Sequence, residues 1–385
     1  MKLFDVYSQY DVEPLKGKGA FVYDEKGKEY LDFYGGHAVI SVGHSHPHYV
    51  DAITRQLKKI GFYSNAVKNS LQVELANKLE TVSGLSDYAL FLCNSGAEAN
   101  ENAIKLASFH NGKTKIIALE NGFHGRTSAA VRATHNPKIQ APINQGFEIT
   151  YLRMNDVLGL QKEISKDDTC AVIIEPIQGV GGCHTCDAGY MEVLAELCKK
   201  HNAILIMDEV QSGYGRSGEF FAFQYADIRP DIITMAKGMG NGFPIAGVMI
   251  NEDVFDAKKG MLGTTFGGNH LACAAGIAVL EIIAEEKLQE NASTLGEYFR
   301  DVLKNEIKEE IKILGKGLMI GVVFPYATLE IRKHLLYENS VFCGSSSDPN
   351  ILRILPPLNI TKDQIDLFVK QLASSVTNFK ESISI

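Results

Sequence analysis

The sequence predicts an α/β protein whose larger part is built on a mostly parallel sheet. Short apolar runs typical of buried strands occur at 170–176 (CAVIIEP) and 203–209 (AILIMDE), and the stretch between them, 189–202, has the periodicity of an amphipathic helix. A strand, a helix and a strand at this spacing indicate a parallel βαβ unit. Two further buried-strand candidates, 231–237 (DIITMAK) and 245–250 (IAGVMI), extend the same sheet.

A smaller α+β domain is expected from the two ends of the chain together. The segment 19–33 alternates like a β-hairpin, and a closing helix is expected from Lys362 to about Lys380. We therefore place the large domain at 50–268 and the small domain at 1–49 and 269–385.

Composition narrows the function. The chain has 385 residues and a net charge of −8, with no block of Lys and Arg long enough for a nucleic-acid footprint. No apolar run approaches the ~18 residues that a membrane helix needs, and the amino terminus lacks the apolar core of a signal peptide. Seven cysteines, an odd number, favour reduced thiols in the cytoplasm. Cys183 and Cys186 have CxxC spacing but no second pair, so we predict no metal site.

Three polar residues follow predicted strands directly. Glu175, Asp208 and Lys237 each stand at the carboxyl end of an apolar run, where open α/β sheets bind their ligands. A lysine amine beside such a run is costly to bury unless it is paired or neutralised. These three residues are therefore candidate site residues.

Two loops add binding groups. In LCNSGAEANENAIKLA (92–107), Ser95 is a helix N-cap and the amides of Gly96 and Ala97 form an anion site, although a plain capped helix is the alternative. In NGFHGRTSAA (121–130), Phe123 has a ring that can stack on a ligand, and Arg126 has a fork that matches a carboxylate.

These groups together predict pyridoxal 5'-phosphate. The cofactor has a phosphate for the helix terminus, an aldehyde that forms an imine with Lys237, and a pyridine nitrogen whose proton an acid such as Asp208 holds. An imine also removes the cost of burying the lysine as an ammonium ion.

The chain resembles the class III, or ornithine-type, aminotransferases of the fold-type I pyridoxal-phosphate enzymes, most of all those that act on N2-acetylornithine. The resemblance runs nearly end to end through YLDFYGGHAVISVGHSHP, NSGAEANENAIKLA, FHGRT, EPIQG, DEVQSGYGRSG, MAKGMGNGFPIAG, GTTFGGN and LRILPPLNIT. It implies transfer of the terminal amino group of an N-acylated ornithine to 2-oxoglutarate, in arginine biosynthesis.

The resemblance also implies residue roles. Gln211 would contact the ring hydroxyl of the cofactor, and Val210 would pack on the ring face opposite Phe123. Thr265 would reach the phosphate of a partner subunit, which implies a homodimer with shared sites. Arg353, with Arg126, would hold substrate carboxylates, and Glu175 would line the substrate side.

Two positions depart from the family pattern. Val180 stands where relatives usually have a glutamate that pairs with the arginine matching Arg353. We therefore expect a donor whose distal end tolerates or supplies negative charge, and a poor response to free ornithine. The second departure is His270, where proline is usual and which we expect to start a long helix.

Several alternatives stay open. Within the family, N2-succinylornithine, ornithine or 4-aminobutyrate could be the donor. A dinucleotide-dependent oxidoreductase would need a glycine fingerprint after the first strand and an acid ~20 residues later, and neither is present. A non-catalytic descendant of the fold is disfavoured by the joint presence of Lys237, Asp208 and Gln211.

Overall fold

A seven-stranded sheet forms the centre of the molecule. The computed structural model describes residues 1–383. In spatial order the strands of this sheet are β4 (Tyr88–Cys93), β10 (Ala246–Asn251), β9 (Ile232–Met235), β8 (Ile204–Asp208), β7 (Thr169–Ile174), β5 (Lys115–Leu119) and β6 (Ile149–Leu152). Strand β10 is antiparallel to both of its neighbours, and the other neighbouring pairs are parallel. The expected mostly parallel sheet is confirmed.

Helices connect the parallel strands. They are α4 (Gly96–Asn111), α5 (Ser128–Ala133), α6 (Val157–Ile164) and α7 (Ala188–Lys200), with short 3₁₀ turns at Pro137–Ile139, Pro142–Asn144, Ala222–Tyr225 and Lys237–Met239. Helix α7 connects β7 to β8, as the βαβ pattern predicts, and strand β7 is buried at every position.

Two smaller sheets come from the ends of the chain. One contains β1 (Pro14–Lys18), β2 (Phe21–Asp24), β3 (Glu29–Asp32) and β13 (Val341–Phe342), and the other β11 (Lys312–Lys316), β12 (Met319–Val323), β15 (Ile351–Ile354) and β14 (Gly344–Ser345). Strand β13 pairs in parallel with β3, so the first and last thirds of the chain share a sheet. The remaining helices are α1 (Gly35–Ala38), α2 (Pro47–Lys59), α3 (Ser70–Ser83), α8 (His270–Glu285), α9 (Leu288–Glu306), α10 (Leu329–Tyr337) and α11 (Lys362–Ile383).

The predicted hairpin and the predicted starts of two helices are present in the structure. The hairpin of β2 and β3 turns at Gly27, whose φ of 78° suits glycine. His270 starts helix α8, which Asn269 caps by accepting a hydrogen bond from the amide of Ala272. Helix α4 begins at Gly96, and Ser95 is its N-cap, as predicted.

The strand that precedes Lys237 is shorter than the sequence predicts. Strand β9 ends at Met235, and Lys237 starts a 3₁₀ turn with a φ of 44°. A positive φ is unusual for a residue with a side chain and marks a place where surrounding contacts hold the backbone. Ser41 supplies such a contact next to Lys237, because its hydroxyl donates to the carbonyl oxygen of Gly238 at 2.7 Å.

Arg216 joins separate parts of the fold. This buried guanidinium donates to the carbonyl oxygens of Leu318, Pro356 and Ile40, which lie in segments far apart in the chain. Burial lowers the pKa of Arg216 to about 9. The contacts tie both ends of the chain to the loop that follows β8.

No helix within residues 1–383 is both long and apolar enough to span a bilayer. All seven cysteines are buried and free of disulfides.

Glu209 is a buried acid without a basic partner in the described part of the chain. Its carboxylate accepts from the hydroxyl of Ser212 at 2.6 Å and from the amide of Phe223 at 2.8 Å. Burial raises the pKa of Glu209 from 4.5 to about 7. The folded protein therefore binds a proton between these values that the unfolded chain has lost.

This difference in proton binding makes the free energy of unfolding fall as the pH rises from about 4.5 to about 7, by up to about 3 kcal/mol. The neutral Glu209→Gln variant keeps both hydrogen bonds, since its amide can donate to the Ser212 hydroxyl. We expect it to gain stability relative to the wild type between pH 5 and pH 8 in urea unfolding. Glu25→Gln, in an exposed turn, is the control and should show no such gain. Parallel pH dependences of Glu209→Gln and wild type would contradict the assignment.

Candidate active site

A cavity of about 390 Å³ lies at the carboxyl ends of β7 and β8 and beside the start of α4. Ten of the residues selected from the sequence line it: Ser95, Gly96, Ala97, Phe123, Arg126, Glu175, Asp208, Val210, Gln211 and Lys237. The fold thus gathers residues from five separate segments around one space, as the strand-end positions predicted.

Lys237 brings its amine to the wall of the cavity. Burial lowers the pKa of the amine from 10.5, the nearby charges of Asp208 and Glu175 oppose that change, and Arg353 adds to it. The amine makes no hydrogen bond to another residue of the 1–383 range. It is therefore available to a ligand, and a larger fraction of it is neutral at a given pH than for an exposed lysine.

Asp208 is the most firmly held side chain of the site. Its Oδ2 accepts from Asn100 Nδ2 and from His124 Nδ1, both at 2.7 Å, and its Oδ1 accepts from the amide of Val210 at 3.0 Å. The carboxylate is 3% exposed. Three donors offset the cost of keeping this anion out of water and fix its direction.

His124 completes this arrangement. Burial disfavours its charged form, but the hydrogen bond and the charge of Asp208 outweigh burial and raise the pKa of His124 above 6.5. Its second ring nitrogen, Nε2, is buried and without a hydrogen-bond partner. The ring of His124 therefore forms a hydrogen bond with Asp208 and with no other described residue.

Glu175 holds two loops rather than presenting a free carboxylate. Its Oε1 accepts from the amide of Phe123 at 2.8 Å, and its Oε2 accepts from the amide of Gly179 at 2.7 Å. Burial raises the pKa of Glu175, the charge of His124 lowers it, and that of Asp208 raises it further, so the net direction is upward. The contacts set the position of the Phe123 ring and of the loop that carries Val180.

The start of helix α4 forms a binding point for an anion. Ser95 accepts from the amide of Glu98 at 3.2 Å, which leaves the amides of Gly96 and Ala97 without partners among the described residues. A Cβ on Gly96 would lie 2.7 Å from Val210 Cγ1, so glycine is required for this close packing. Unpaired amides at a positive helix end favour a phosphate or carboxylate.

The two arginines predicted to bind carboxylates differ in exposure and in hydrogen bonding. Arg126 is exposed at the cavity and makes no hydrogen bond or ion pair within residues 1–383. Arg353 is 3% exposed, does not line the cavity, and donates to protein oxygens instead. Arg126 is the guanidinium that a ligand meets directly.

Thr265 also lies outside the cavity. It is exposed beside Phe266, itself 61% exposed, whose ring contacts Phe62 at a centroid distance of 5.4 Å.

The sequence reasoning does not identify Asn100 and gives His124 no role. Asn100 donates to Asp208 and to the carbonyl oxygen of His124, and accepts from the hydroxyl of Thr234 at 2.6 Å. A usable signal was its spacing, since it lies one helical turn after Gly96 and therefore on the same face of α4.

The cavity offers what a phosphorylated pyridine aldehyde requires. Unpaired amides at one side suit the phosphate, the Lys237 amine suits the aldehyde, and Asp208 suits a protonated ring nitrogen. Phe123 and Val210 both line the space and provide flat and branched apolar surfaces for a ring. Among the described residues, no group of three or more His, Cys, Asp or Glu side chains is arranged to hold a metal.

Comparisons with known proteins agree with this chemistry. The sequence model of the class-III aminotransferases matches residues 6–376. The acetylornithine aminotransferase of Methanocaldococcus jannaschii is 41% identical over 98% of this chain and 96% of its own length. That of Bacillus subtilis is 40% identical over 98% of both chains. A solved structure of the ornithine aminotransferase from Toxoplasma gondii, with pyridoxal phosphate partly occupying its active site, superposes with a TM-score of 0.90 at 30% identity, covering 99% of this chain and 93% of that one.

The network around Asp208 can be tested through Asn100. Replacing it in Asn100→Leu removes three buried hydrogen bonds and leaves Asp208, the His124 carbonyl and Thr234 short of a partner. We expect a loss of about 2–5 kcal/mol in the free energy of urea unfolding. Asn102→Leu, on the same helix and with one hydrogen bond to the Glu98 carbonyl, should lose less than about 1 kcal/mol. Equal losses in the two variants would show that the buried network adds no more stability than the single hydrogen bond of Asn102.

Proposed function

This chain belongs to the class-III aminotransferases, and we propose that it transfers the terminal amino group of N2-acetylornithine to 2-oxoglutarate in arginine biosynthesis. The observation that carries the proposal is the meeting of Lys237, Asp208 and the free amides of Gly96 and Ala97 around one cavity. Pyridoxal 5'-phosphate, the cofactor that the family implies, supplies an electron-withdrawing ring that stabilises the carbanion formed at the substrate carbon.

Lys237 would hold the aldehyde end of the cofactor and move the proton at the reacting carbon of the substrate. Its lowered pKa suits both tasks, because a neutral amine is the form that attacks a carbonyl and accepts a proton. The positive φ of Lys237 and the glycines that follow it let the chain turn away and leave the amine facing the cavity.

Asp208 would hold the proton of the ring nitrogen. Its three donors fix its orientation, so no reorganisation is needed when charge develops on the ring. Gly96 and Ala97, with Ser95 as the cap, would bind the phosphate. Phe123 and Val210 would enclose the ring, and Gln211 would contact its hydroxyl group.

Arg126 would bind a substrate carboxylate. A guanidinium exposed at the cavity and free of carboxylate partners matches a carboxylate with two parallel hydrogen bonds. Arg353 would act as a second carboxylate site, while Glu175 would shape the substrate side by holding its two loops.

The donor is inferred from the relatives and from Val180. The two relatives above carry the name acetylornithine aminotransferase, and both are about 40% identical to this chain over nearly its full length. Val180 lines the cavity at a position where a glutamate would repel a carboxylate. N2-succinylornithine, ornithine and 4-aminobutyrate are the alternative donors, and ornithine has support from the solved ornithine aminotransferase.

A homodimer with shared sites would complete the cavity. Thr265 is exposed and outside the cavity of its own chain, and Phe62, Tyr63 and Phe266 are exposed apolar residues of the same region. Contiguous exposed apolar surface of this kind marks a protein interface. In a dimer of this type, Thr265 would reach the phosphate of the partner.

The division into domains 50–268 and 1–49 with 269–385 stays our proposal, supported by the composition of the three sheets; residues 384 and 385 lie outside the described residues. We also propose a location in the cytoplasm, where seven unpaired cysteines would stay reduced.

The proposed function is tested by a single half-reaction. N2-acetylornithine, N2-succinylornithine and ornithine are added separately to the purified holoenzyme without an oxo acid, and loss of its visible band is followed. We expect acetylornithine to bleach the band at least tenfold more efficiently than ornithine, because ornithine places an additional ammonium group near two arginines. Lys237→Ala should show neither the resting band nor turnover. Equal efficiency with ornithine would refute the proposed donor, and failure to take up the cofactor would refute the enzyme.

A charged residue introduced into the proposed dimer interface tests whether the two subunits share their active sites. Phe266→Glu places a carboxylate in the proposed interface, so we expect dissociation to monomers in sedimentation at micromolar concentration and at least tenfold weaker cofactor binding. Leu158→Glu, at a residue 79% exposed on helix α6, is the control and should stay dimeric. A monomeric wild type with full activity would rule out the shared site.

A further inference from the structure

Arg353 is held by the protein in an unusual way for a carboxylate-binding residue. Its Nη1 donates to the carbonyl oxygen of Gly179 at 3.0 Å and to the side-chain oxygen of Gln211 at 3.2 Å, and its Nε donates to the carbonyl oxygen of Ser345. Each acceptor is neutral, and within residues 1–383 no carboxylate forms an ion pair with Arg353. The charge of this guanidinium is therefore not compensated by direct contact.

Gln211 connects this arginine to the cavity. It lines the cavity and is 6% exposed, whereas Arg353 does not line it. Its Oε1 accepts from Arg353, and its Nε2 makes no hydrogen bond to another described residue and is not sealed from solvent. The side-chain oxygen of Gln211 thus faces Arg353, and the N–H groups of its Nε2 remain available to a ligand.

Gly179 makes this arrangement possible. A Cβ at this position would lie 2.5 Å from Gln211 Oε1, so a side chain would push the amide away from Arg353. The amide of Gly179 is fixed by Glu175, and its carbonyl accepts from Arg353. The next residue is Val180, which cannot accept a hydrogen bond through its side chain.

Arg353 has one terminal nitrogen left for a ligand. Nη2 makes no hydrogen bond within the described residues and is not sealed from solvent. A carboxylate bound by both terminal nitrogens needs Nη1 as well. Such a carboxylate must therefore take an Nη1 hydrogen from the Gly179 carbonyl or from Gln211. The Gln211 side chain is the acceptor that can move, because the backbone at Gly179 is held by Glu175.

We infer that Gln211 is the internal partner of Arg353 and that a substrate carboxylate displaces it, so that binding at Arg353 changes the contact of Gln211 with the cofactor. The role of Gln211 at the cofactor rests on the proposed function. While Arg353 polarises the Gln211 carbonyl, the Gln211 N–H is a stronger donor toward the ring, because hydrogen bonds in a chain reinforce one another. Carboxylate binding removes this polarisation. Gln211 is thus a positioning residue that transmits occupancy of Arg353.

The neutral charge of Gln211 also affects which substrate carboxylates can compete for Arg353. Displacing an amide oxygen from a guanidinium costs less than displacing a carboxylate, since charged hydrogen bonds are about twice as strong as neutral ones. Arg353 should therefore accept a carboxylate from donor and from oxo acid alike. The discrimination between them must come from the other residues of the cavity.

The test uses glutarate, a dicarboxylate with no amino or keto group, which cannot react. It is titrated into the resting holoenzyme, the visible band of the cofactor is followed, and binding is measured by calorimetry with holoenzyme and apoprotein. We expect the band to move and to saturate with the dissociation constant from calorimetry. Arg353→Lys should lose the movement and bind glutarate at least tenfold more weakly. Arg126→Gln should still show the full movement at saturation.

Substitution of Val180 provides the matched pair. Val180→Glu offers a carboxylate next to Gly179, so the resting band should already be displaced and glutarate should bind about tenfold or more weakly. Val180→Leu enlarges the side chain without adding a charge or a hydrogen-bond acceptor and should behave as the wild type. Glutarate binding that depends on Arg353 but leaves the band unmoved would overturn the coupling, and so would an unchanged band in Val180→Glu.

These results are separate from those that decide the proposed function. A protein that binds no pyridoxal phosphate, or a holoenzyme whose band no amino donor bleaches, refutes the transaminase. Glutarate binding to the apoprotein through Arg353 is measured in either case, and its absence also overturns the inference.

Discussion

The buried carboxylate of Asp208 is the interaction on which the rest of the site depends. An anion that is 3% exposed persists only if donors surround it, and its donors come from three places: Asn100 on α4, His124 in the loop after β5, and the amide of Val210. Each donor brings its own segment to the carboxylate. As a result α4, with its free amides, and the loop with Phe123 and Arg126 are fixed around one point.

The same requirement explains the polar residues behind the site. Asn100 donates to Asp208, and its other polar groups are paired as well, since it donates to the His124 carbonyl and accepts from the Thr234 hydroxyl. Glu175 fixes two further backbone amides of the loops. These residues need not touch a ligand, yet they determine where the groups that do so lie. A cofactor with several charged atoms needs such preorganised partners, since reorienting them during the reaction would raise the barrier.

Charge on the substrate side is arranged differently. Arg126 is open to the cavity, whereas Arg353 lies behind Gln211 and uses neutral acceptors. Two guanidinium groups without carboxylate contacts near one cavity favour anionic substrates. The amino donor and 2-oxoglutarate proposed here both carry such groups. The two arginines, which the sequence alone presents as equivalent, therefore differ in how readily a carboxylate can reach them.

Sequence reasoning by itself determined the sheet class, the strands that Glu175, Asp208 and Lys237 follow, the cap at Ser95 and the inventory of reactive groups. These follow from local patterns, because periodicity and capping depend on residues a few positions apart. Only the tertiary structure decided that Asn100 and His124 hold Asp208, that Thr265 lies outside its own cavity, and that Arg353 is bound by Gly179 and Gln211. The partners in these contacts are up to 174 positions apart in the chain, and Asn100 lies 108 positions from Asp208. The free energy of burying each polar group depends on which distant partner packing supplies, and no local pattern records that choice.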